Sequence, residues 1–283
     1  MDYSKRLFLF AGFDKDGIVD DALIYYVSAL SKYGDVIVCM DCNLVESEIN
    51  KLKPYTIAFI SQRHGEYDFG SYKRAYIYAA EHDLLKNYDV LYLVNDSVFG
   101  PMFDISKTLQ EIETKPTDAC GIVVSKHKTH AFMESWFVRL NQKIFMSDWF
   151  DNFIRSVKHE KTKAKITIQY EHGLTNVIAK NNCSWSGIYI IRGRETYNRP
   201  KSLFKKGCPF VKKVSFTRHN GSLGAQIKYI LKHSETDVAK ATMITANRVY
   251  GKEYTDWLLT SNPIKILYRS LVYGLKKLKS GTI

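Results

Sequence analysis

Apolar residues come in short runs along the first part of this chain, and each run ends in polar residues. RLFLFAGF (6–13) is unbroken up to Gly12 and is followed by Asp14, Asp16, Asp20 and Asp21. A run of that length without alternation predicts a strand buried on both faces. In DKDGIVDDALIYYVSALSKYG (14–34) the spacing changes: Leu23, Tyr26, Val27 and Leu30 recur at helical intervals, and Gly34 suits a C-cap. DVIVCMD (35–41) and IAFISQR (57–63) read as second and third strands, SYKRAYIYAAEHDLLKNY (71–88) as a helix, and DVLYLVND (89–96) as a fourth strand. Further on, FDISKTLQEIETK predicts a helix, ACGIVVSK (119–126) a strand, and THAFMESWFVRLNQKIFMSDWFDNFIRSV (129–157) an aromatic-rich helical region. AKITIQY predicts a short strand, Leu174 to Ala179 a helix and SGIYIIR (186–192) a strand. Residues 195–217, with Pro200, Pro209 and many lysines, look irregular.

The order strand–helix–strand–strand–helix–strand predicts an α/β fold with a central, mostly parallel sheet flanked by helices. Such sheets bind ligands beyond the carboxyl ends of their strands. Polar residues collect there: Asp14, Asp41, Arg63 and Asp96 each follow an apolar strand. No stretch reads as a linker, so residues 1–260 are expected to form a single domain. Residues 261–283 stand apart. Ile264, Leu267, Tyr268, Leu271, Leu275 and Leu278 fall on one helical stripe, Lys265, Arg269, Lys276, Lys277 and Lys279 supply charge, and no acid occurs from 264 onwards. That composition suits a helix lying on an anionic membrane surface. It also suits an amphipathic helix packed on its own domain, and both readings stand.

Composition narrows the class. With 45% hydrophobic and 25% charged residues over 283, the chain can bury a large core and is not disordered. The 41 Lys and Arg against 29 Asp and Glu leave a formal charge of +12, which favours polyanionic partners: nucleic acid, anionic lipid or phosphate-bearing substrates. Cys39, Cys42, Cys120, Cys183 and Cys208 are odd in number and scattered; Cys39 and Cys42 form a CxxC without a second pair at zinc spacing. Structural thiols in a reducing cytosol fit best. The first apolar run is far shorter than the ~20 residues of a spanning helix, so a cytoplasmic, at most peripheral, protein is expected.

Two stretches carry chemistry. In VNDSVFG (94–100) an apolar strand runs into Asn95, Asp96 and Ser97, with Gly100 close behind. One carboxylate at a strand end can hold Mg²⁺ or Mn²⁺ on a diphosphate, because these ions take one or two carboxylates plus phosphates and waters. Asn95 and Ser97 can bond ribose or phosphate, and Gly100 allows close backbone approach. An N-cap followed by a turn accounts for the same residues. SQRHGEYDFGSYKRAY (61–76) follows a strand and enters a helix; its glycines and Arg63, Lys73 and Arg74 would make a diphosphate cradle. Asp68 there can bond a ribose hydroxyl or base edge. The match to GxGxxG is poor.

RHGEYDFGSYKRA followed by YLVNDSVFGP resembles the rhamnan synthesis F family of bacterial glycosyltransferases, whose pattern is approximately R-N-x-G-x-D-x-G-x-Y and then N-D-S-x-x-G-P. His64 stands at the usual Asn, and Glu134 in THAFMESWF (129–137) at a usual Gln; YEHGLT (170–175) and CPFVKK (208–213) support the likeness. The resemblance implies a GT-A-like nucleotide-diphospho-sugar transferase building cell-surface polysaccharide, such as lipopolysaccharide. It makes Asn95-Asp96-Ser97 a variant of the D-x-D motif that keeps one carboxylate, so Asp96 is either the ligand of a weak Mg²⁺ or Mn²⁺ site or a hydrogen-bonding group. Phe13, Asp41, Arg63, Asp68, Tyr72, Asn95, Asp96, Ser97 and Gly100 are then the donor-binding set. Inversion at the anomeric carbon needs a base for the acceptor hydroxyl. Glu171 is the candidate, since E-H-G-L is similar to the E-D-x-x-L segment that carries the base in related inverting enzymes. A glutamate stabilising a helix N-terminus is the alternative. His130, Glu134, Trp136 and His172 would line the acceptor pocket, with aromatic faces suiting sugar rings, although helix packing explains Trp136 equally well; Lys212 and Lys213 could meet phosphate or simply be solvated. The expected partners are a nucleotide-diphospho-sugar, with rhamnose as the favoured sugar, a lipid-linked glycan and an anionic membrane. Two rivals are kept. A sugar nucleotidyltransferase needs a basic Gly-rich loop after the first strand, where this chain has the acidic GFDKDGIVDD. A nucleic-acid-binding protein would use the basic surface, but no known motif for it is present.

Overall fold

The computed structural model describes residues 4–217 and 222–279. The chain runs β1 (Arg6–Gly12), α1 (Asp21–Ser31), β2 (Asp35–Met40), α2 (Glu46–Asn50), β3 (Ala58–Ser61), α3 (Tyr67–Glu81), β4 (Val90–Asn95), β5 (Val98–Phe99) and α4 (Ser106–Glu113). It continues through β6 (Ala119–Lys126), β7 (Ala131–Met133), β8 (Phe137–Asn141), α5 (Gln142–Phe145), α6 (Asp148–Arg155), α7 (Lys163–Ile166), α8 (His172–Lys180) and β9 (Trp185–Arg192). The last elements are α9 (Glu195–Asn198), α10 (Pro200–Lys205), β10 (Val211–Lys212), α11 (Leu223–Lys232), α12 (Thr236–Tyr250), α13 (Lys252–Leu258) and α14 (Pro263–Lys279).

Two compact units emerge, a finer division than the single domain 1–260 suggested by the sequence. The first comprises 1–96 and 105–193, the second 97–104 and 194–283. In the first, an eight-stranded sheet has the order β3-β2-β1-β4-β8-β6-β7, with β9 also on β6. β1 pairs in parallel with β2 and β4, β2 with β3, and β6 with β9; β8 runs antiparallel to both β4 and β6. This is the α/β class the sequence implied. Leu7 through Ala11 of β1 are wholly buried, which accounts for their lack of alternation. α1 begins where its Asp20 side chain accepts from the Leu23 amide, 2.9 Å away. The five cysteines are free and buried, and burial pushes the Cys39 thiol up to about 12. A structural role for the CxxC follows, since the reactive form of cysteine is the thiolate.

Two expectations are corrected. Residues 129–157 are not one helical region: β7 and β8 occupy their first half. Met133, Trp136, Phe137 and Leu140 mimic a helical period, but short apolar runs are ambiguous, and here pairing with β4 and β6 decides. Arg139, in the middle of β8, is buried because its guanidinium donates to the carbonyls of Ile112, Lys115 and Asp118. AKITIQY is likewise not a strand. It forms α7 and a π-helical turn, Thr167–Glu171, leading straight into α8. The i, i+4 series Ile166, Tyr170, Leu174 and Ile178 is buried, while Ile168, which alternation would have turned inward, is exposed.

In the second unit, β10 pairs antiparallel with β5 beside helices α9 to α14. The stretch expected to be irregular holds short elements, with Pro200 opening α10, where its missing amide hydrogen is no loss.

Candidate functional site

At the carboxyl end of β2, Asp41 is buried and organises the loop after β3. Its Oδ1 accepts from the amides of His64 (2.7 Å) and Gly65 (2.9 Å), and its Oδ2 lies 2.8 Å from Arg63 Nη1. Arg63 in turn sits over the exposed ring of Phe13, 5.2 Å from its centroid. The two make a cation–π platform at the strand ends.

His64 explains how this chain manages without the usual Asn. Its Nδ1 accepts from the Glu66 amide (3.0 Å), as an Asn carbonyl two residues upstream would, and its Nε2 meets Ser71 Oγ at 3.0 Å. A Cβ at Gly70 would fall 2.8 Å from the ring, so glycine there makes room for it. Burial, then the charge of Arg74, lowers the His64 pKa to about 4. The folded state therefore binds fewer protons than the unfolded chain between about pH 6.5 and 4. Stability from this group is complete above pH 6.5 and is lost as pH falls through that window. His64→Asn is expected to flatten this part of the Tm–pH curve, removing about 2 kcal/mol of acid sensitivity at pH 5. Thermal melts at pH 7.5 and 5 would check it; an unchanged slope would contradict it.

The supposed diphosphate cradle is largely occupied. Glu66 pairs with Lys73 Nζ at 2.6 Å and Arg74 Nη1 at 2.9 Å, which spends both cations on the helix itself. The remaining residues of the expected donor-binding set are held by separate bonds. Asn95, buried at the end of β4, donates from Nδ2 to Asp68 Oδ2 (2.9 Å) and from its amide to Trp136 O (3.2 Å). Asp96 Oδ2 accepts from the Phe13 amide at 3.2 Å, and the Asp96 amide donates to Ala11 O at 3.0 Å. Tyr72, buried in α3, donates to Ser135 O (2.9 Å).

Ser135 is the hinge that sequence reasoning missed, although it lies within the quoted THAFMESWF. Its amide (3.2 Å) and Oγ (3.0 Å) both donate to Glu171 Oε1. One helical turn on, Thr175 Oγ1 accepts from the Met133 amide (3.1 Å), so α8 is tied to the β7 segment at two points. Four separated motifs thus meet in the first unit: D-F-G-S-Y, N-D, E-S-W-F and Y-E-H-G-L.

The acceptor set divides. Glu134 and Trp136 are enclosed, at 5% and 2% exposure. Trp136 Nε1 and Ser125 Oγ both donate to the Glu134 carboxylate at 2.7 Å, so these residues build the wall and offer no aromatic face to a sugar. His130 is exposed and stacks on His127 (centroids 4.8 Å), with His172 at 5.0 Å; Phe132 packs on His172 at 3.9 Å. Burial, then His130 and His127, lowers the His172 pKa.

Ser97 and Gly100 belong to the second unit. Ser97 Oγ accepts from Lys212 Nζ (3.0 Å), and Ser97 O from the Lys213 amide (2.9 Å). Gly100 has φ 137°, and a Cβ there would lie 2.6 Å from Pro209 O, so its close approach serves the CPFVKK segment.

No group of three or more metal-ligating side chains occurs among the described residues. Asp96 alone, half-buried at the strand end, fits a divalent cation only as a supplement to ligands that a diphosphate brings. Among the described residues, no helix is long and apolar enough to cross a membrane.

Comparison with known proteins places the chain in a family. The model of the family "Rhamnan synthesis protein F" matches residues 36–276. The chain belongs to the rhamnan synthesis protein F family. It is 23% identical over 162 residues to an uncharacterized protein, y4gN, of Sinorhizobium fredii; the match covers 56% of this chain and 42% of that one, so the chain matches less than half of that relative's length. Among solved structures it is similar to a protein of Desulfovibrio desulfuricans G20 assigned as a nucleotide-diphospho-sugar transferase (TM-score 0.42, 13% identity, 89% of this chain and 98% of that one). Similar too are the glycosyltransferase GlyE of Streptococcus pneumoniae (0.42, 11%, 86% and 64%) and core-mannan synthase A of Aspergillus fumigatus in an Mn/GDP form (0.31, 9%, 57% and 67%).

Proposed function

We propose that this chain moves a sugar, with rhamnose the favoured candidate, from a nucleotide-diphospho-sugar onto a hydroxyl of a growing, lipid-linked cell-surface glycan, with inversion. The observation that carries the reading is the hydrogen-bonded convergence of Asp68, Tyr72, Asn95, Ser135 and Glu171. The Phe13–Arg63 platform suits a nucleobase, and Asp68 suits a ribose hydroxyl. Asp96 faces the diphosphate in this reading. When bound there, Mg²⁺ or Mn²⁺ supplies positive charge to the leaving diphosphate. Glu171 accepts the acceptor's proton as the new C1–O bond forms and the C1–O(phosphate) bond breaks. Ser135 fixes the carboxylate through its amide and Oγ, and His130 and His172 border the acceptor in this reading.

The test is thermal stabilisation by UDP, dTDP, GDP and CDP, each with and without Mn²⁺, on wild type and Asp96→Ala. One nucleotide is expected to raise Tm, with stabilisation of about 2.7 kcal/mol at a hundredfold excess over Kd, and Asp96→Ala to lose most of it. No shift with any nucleotide, together with salt-sensitive retention on nucleic acid, would replace this reading with the binding-protein alternative.

A further inference from the structure

The exposed apolar face of α14 has no counterpart in the chemistry above. Ile264, Leu267, Tyr268 and Leu271 stand at i, i+3, i+4 and i+7, and each is between 59% and 76% exposed. An amphipathic helix packed on its own domain would turn this stripe inward. Here the helix buries the opposite side instead. Arg269 is only 2% exposed: its Nη1 donates to the carbonyls of Trp257 and Leu258 at the end of α13, and its guanidinium lies over the Trp257 ring at 5.4 Å. The pattern is inverted relative to a core-facing helix, with the cation clamped inside and the leucines outside. The clamp fixes which face looks outward.

The charge around that face indicates its occupant. Lys265 is exposed beside the stripe, the sequence continues with Lys276 and Lys277 between Leu275 and Leu278 and with Lys279 after them, and no acid occurs from 264 to 283. A second copy would bring like charge against like. A surface of negative headgroups over an apolar layer complements both parts of the face. At 17 residues the helix rises ~25 Å, and it is not apolar enough to span a bilayer, so it would lie along the surface.

We propose that the Ile264–Leu267–Tyr268–Leu271 face of α14 docks this protein on an anionic bilayer. The proposal extends the transferase reading, in which the acceptor is lipid-linked, by naming the segment that brings the enzyme to it. The experiment is co-sedimentation of the whole chain with phosphatidylglycerol/phosphatidylcholine vesicles and with pure phosphatidylcholine vesicles. Wild type is expected on the anionic vesicles, and raising salt from about 0.1 to about 0.5 M should weaken its partition several-fold. Leu267→Glu with Leu271→Glu should reduce partition roughly tenfold or more, and Lys265→Glu by a smaller factor. These substitutions are on exposed positions; an unchanged Tm would show that the variants fold. Equal binding of wild type and the double variant, or no vesicle binding at all, overturns the proposal. So does a dimer in sedimentation velocity that the double variant dissolves, since the face would then belong to a second copy. Nucleotide stabilisation measured on the same variants separates the two readings: it should persist when membrane binding is lost, and its absence in wild type would count against the transferase, not the helix.

Discussion

Glu171→Gln is expected to lower turnover at saturating donor by about 10²–10⁴-fold, the range that a general base contributes. The substitution suits the question because glutamine keeps the shape and can still accept from Ser135 N and Oγ through its carbonyl oxygen. Only the ability to take a proton is removed. Nucleotide binding should therefore be unchanged: in the proposed site the donor is held at Phe13, Arg63, Asp68 and Asp96, whereas Glu171 is bonded to Ser135. Ser135→Ala should give a milder loss and a changed pH profile, because it removes the Oγ bond to the carboxylate and leaves the amide bond in place. If Glu171→Gln turns over like wild type, the base assignment fails. If it loses nucleotide stabilisation too, Glu171 is a structural brace of α8, as the helix-terminus alternative holds.

How far the sequence carried this picture depended on what kind of force made each element. The parallel half was legible because β1, β2 and β4 are buried on both faces and carry nearly unbroken apolar runs. β7 and β8 were not, because their conformation comes from pairing with β4 and β6, and their aromatics fall by accident at helical intervals. The turn into α8 was misread for a correctable reason: Ile166, Tyr170, Leu174 and Ile178 already stood four apart. At the candidate site, the motifs drew attention to particular loops but did not show who bonds to whom. Lys73 and Arg74 could serve a phosphate by type, but both pair with Glu66, and Trp136, which suits a sugar ring or helix packing alike, has its indole on Glu134. Ser135 was invisible because a serine among aromatics gives no signal of its own.

Glu113→Ala is expected to cost about 3 kcal/mol of stability, with no loss of activity in the protein that remains folded. The carboxylate serves two buried groups at the amino-terminal end of the sheet, away from the candidate site. Arg6 Nε meets Oε1 at 2.6 Å and Arg6 Nη2 meets Oε2 at 2.8 Å, while Tyr92, fully buried in β4, donates to Oε1 at 2.6 Å. Arg6 Nη1 is held separately by Tyr33 O at 3.2 Å. The bond to Glu113, opposed by burial, raises the Arg6 pKa; a guanidinium is basic enough to stay charged even when that partner is removed. Truncating one member of a buried pair typically costs 3–5 kcal/mol, because the other charge is left without compensation. The low end applies here: Arg6 and Glu113 border a cavity of about 1200 Å³ through which water can reach the orphaned group. Even so, about 3 kcal/mol is a large share of the 5–15 kcal/mol that holds a typical domain folded. Removing the whole set tests the mechanism. Arg6→Met with Glu113→Leu and Tyr92→Phe leaves neither charge nor phenol unpaired, and should recover most of the loss in urea or thermal melts. A triple variant no more stable than Glu113→Ala would show that packing around α4, and not an uncompensated charge, sets the cost.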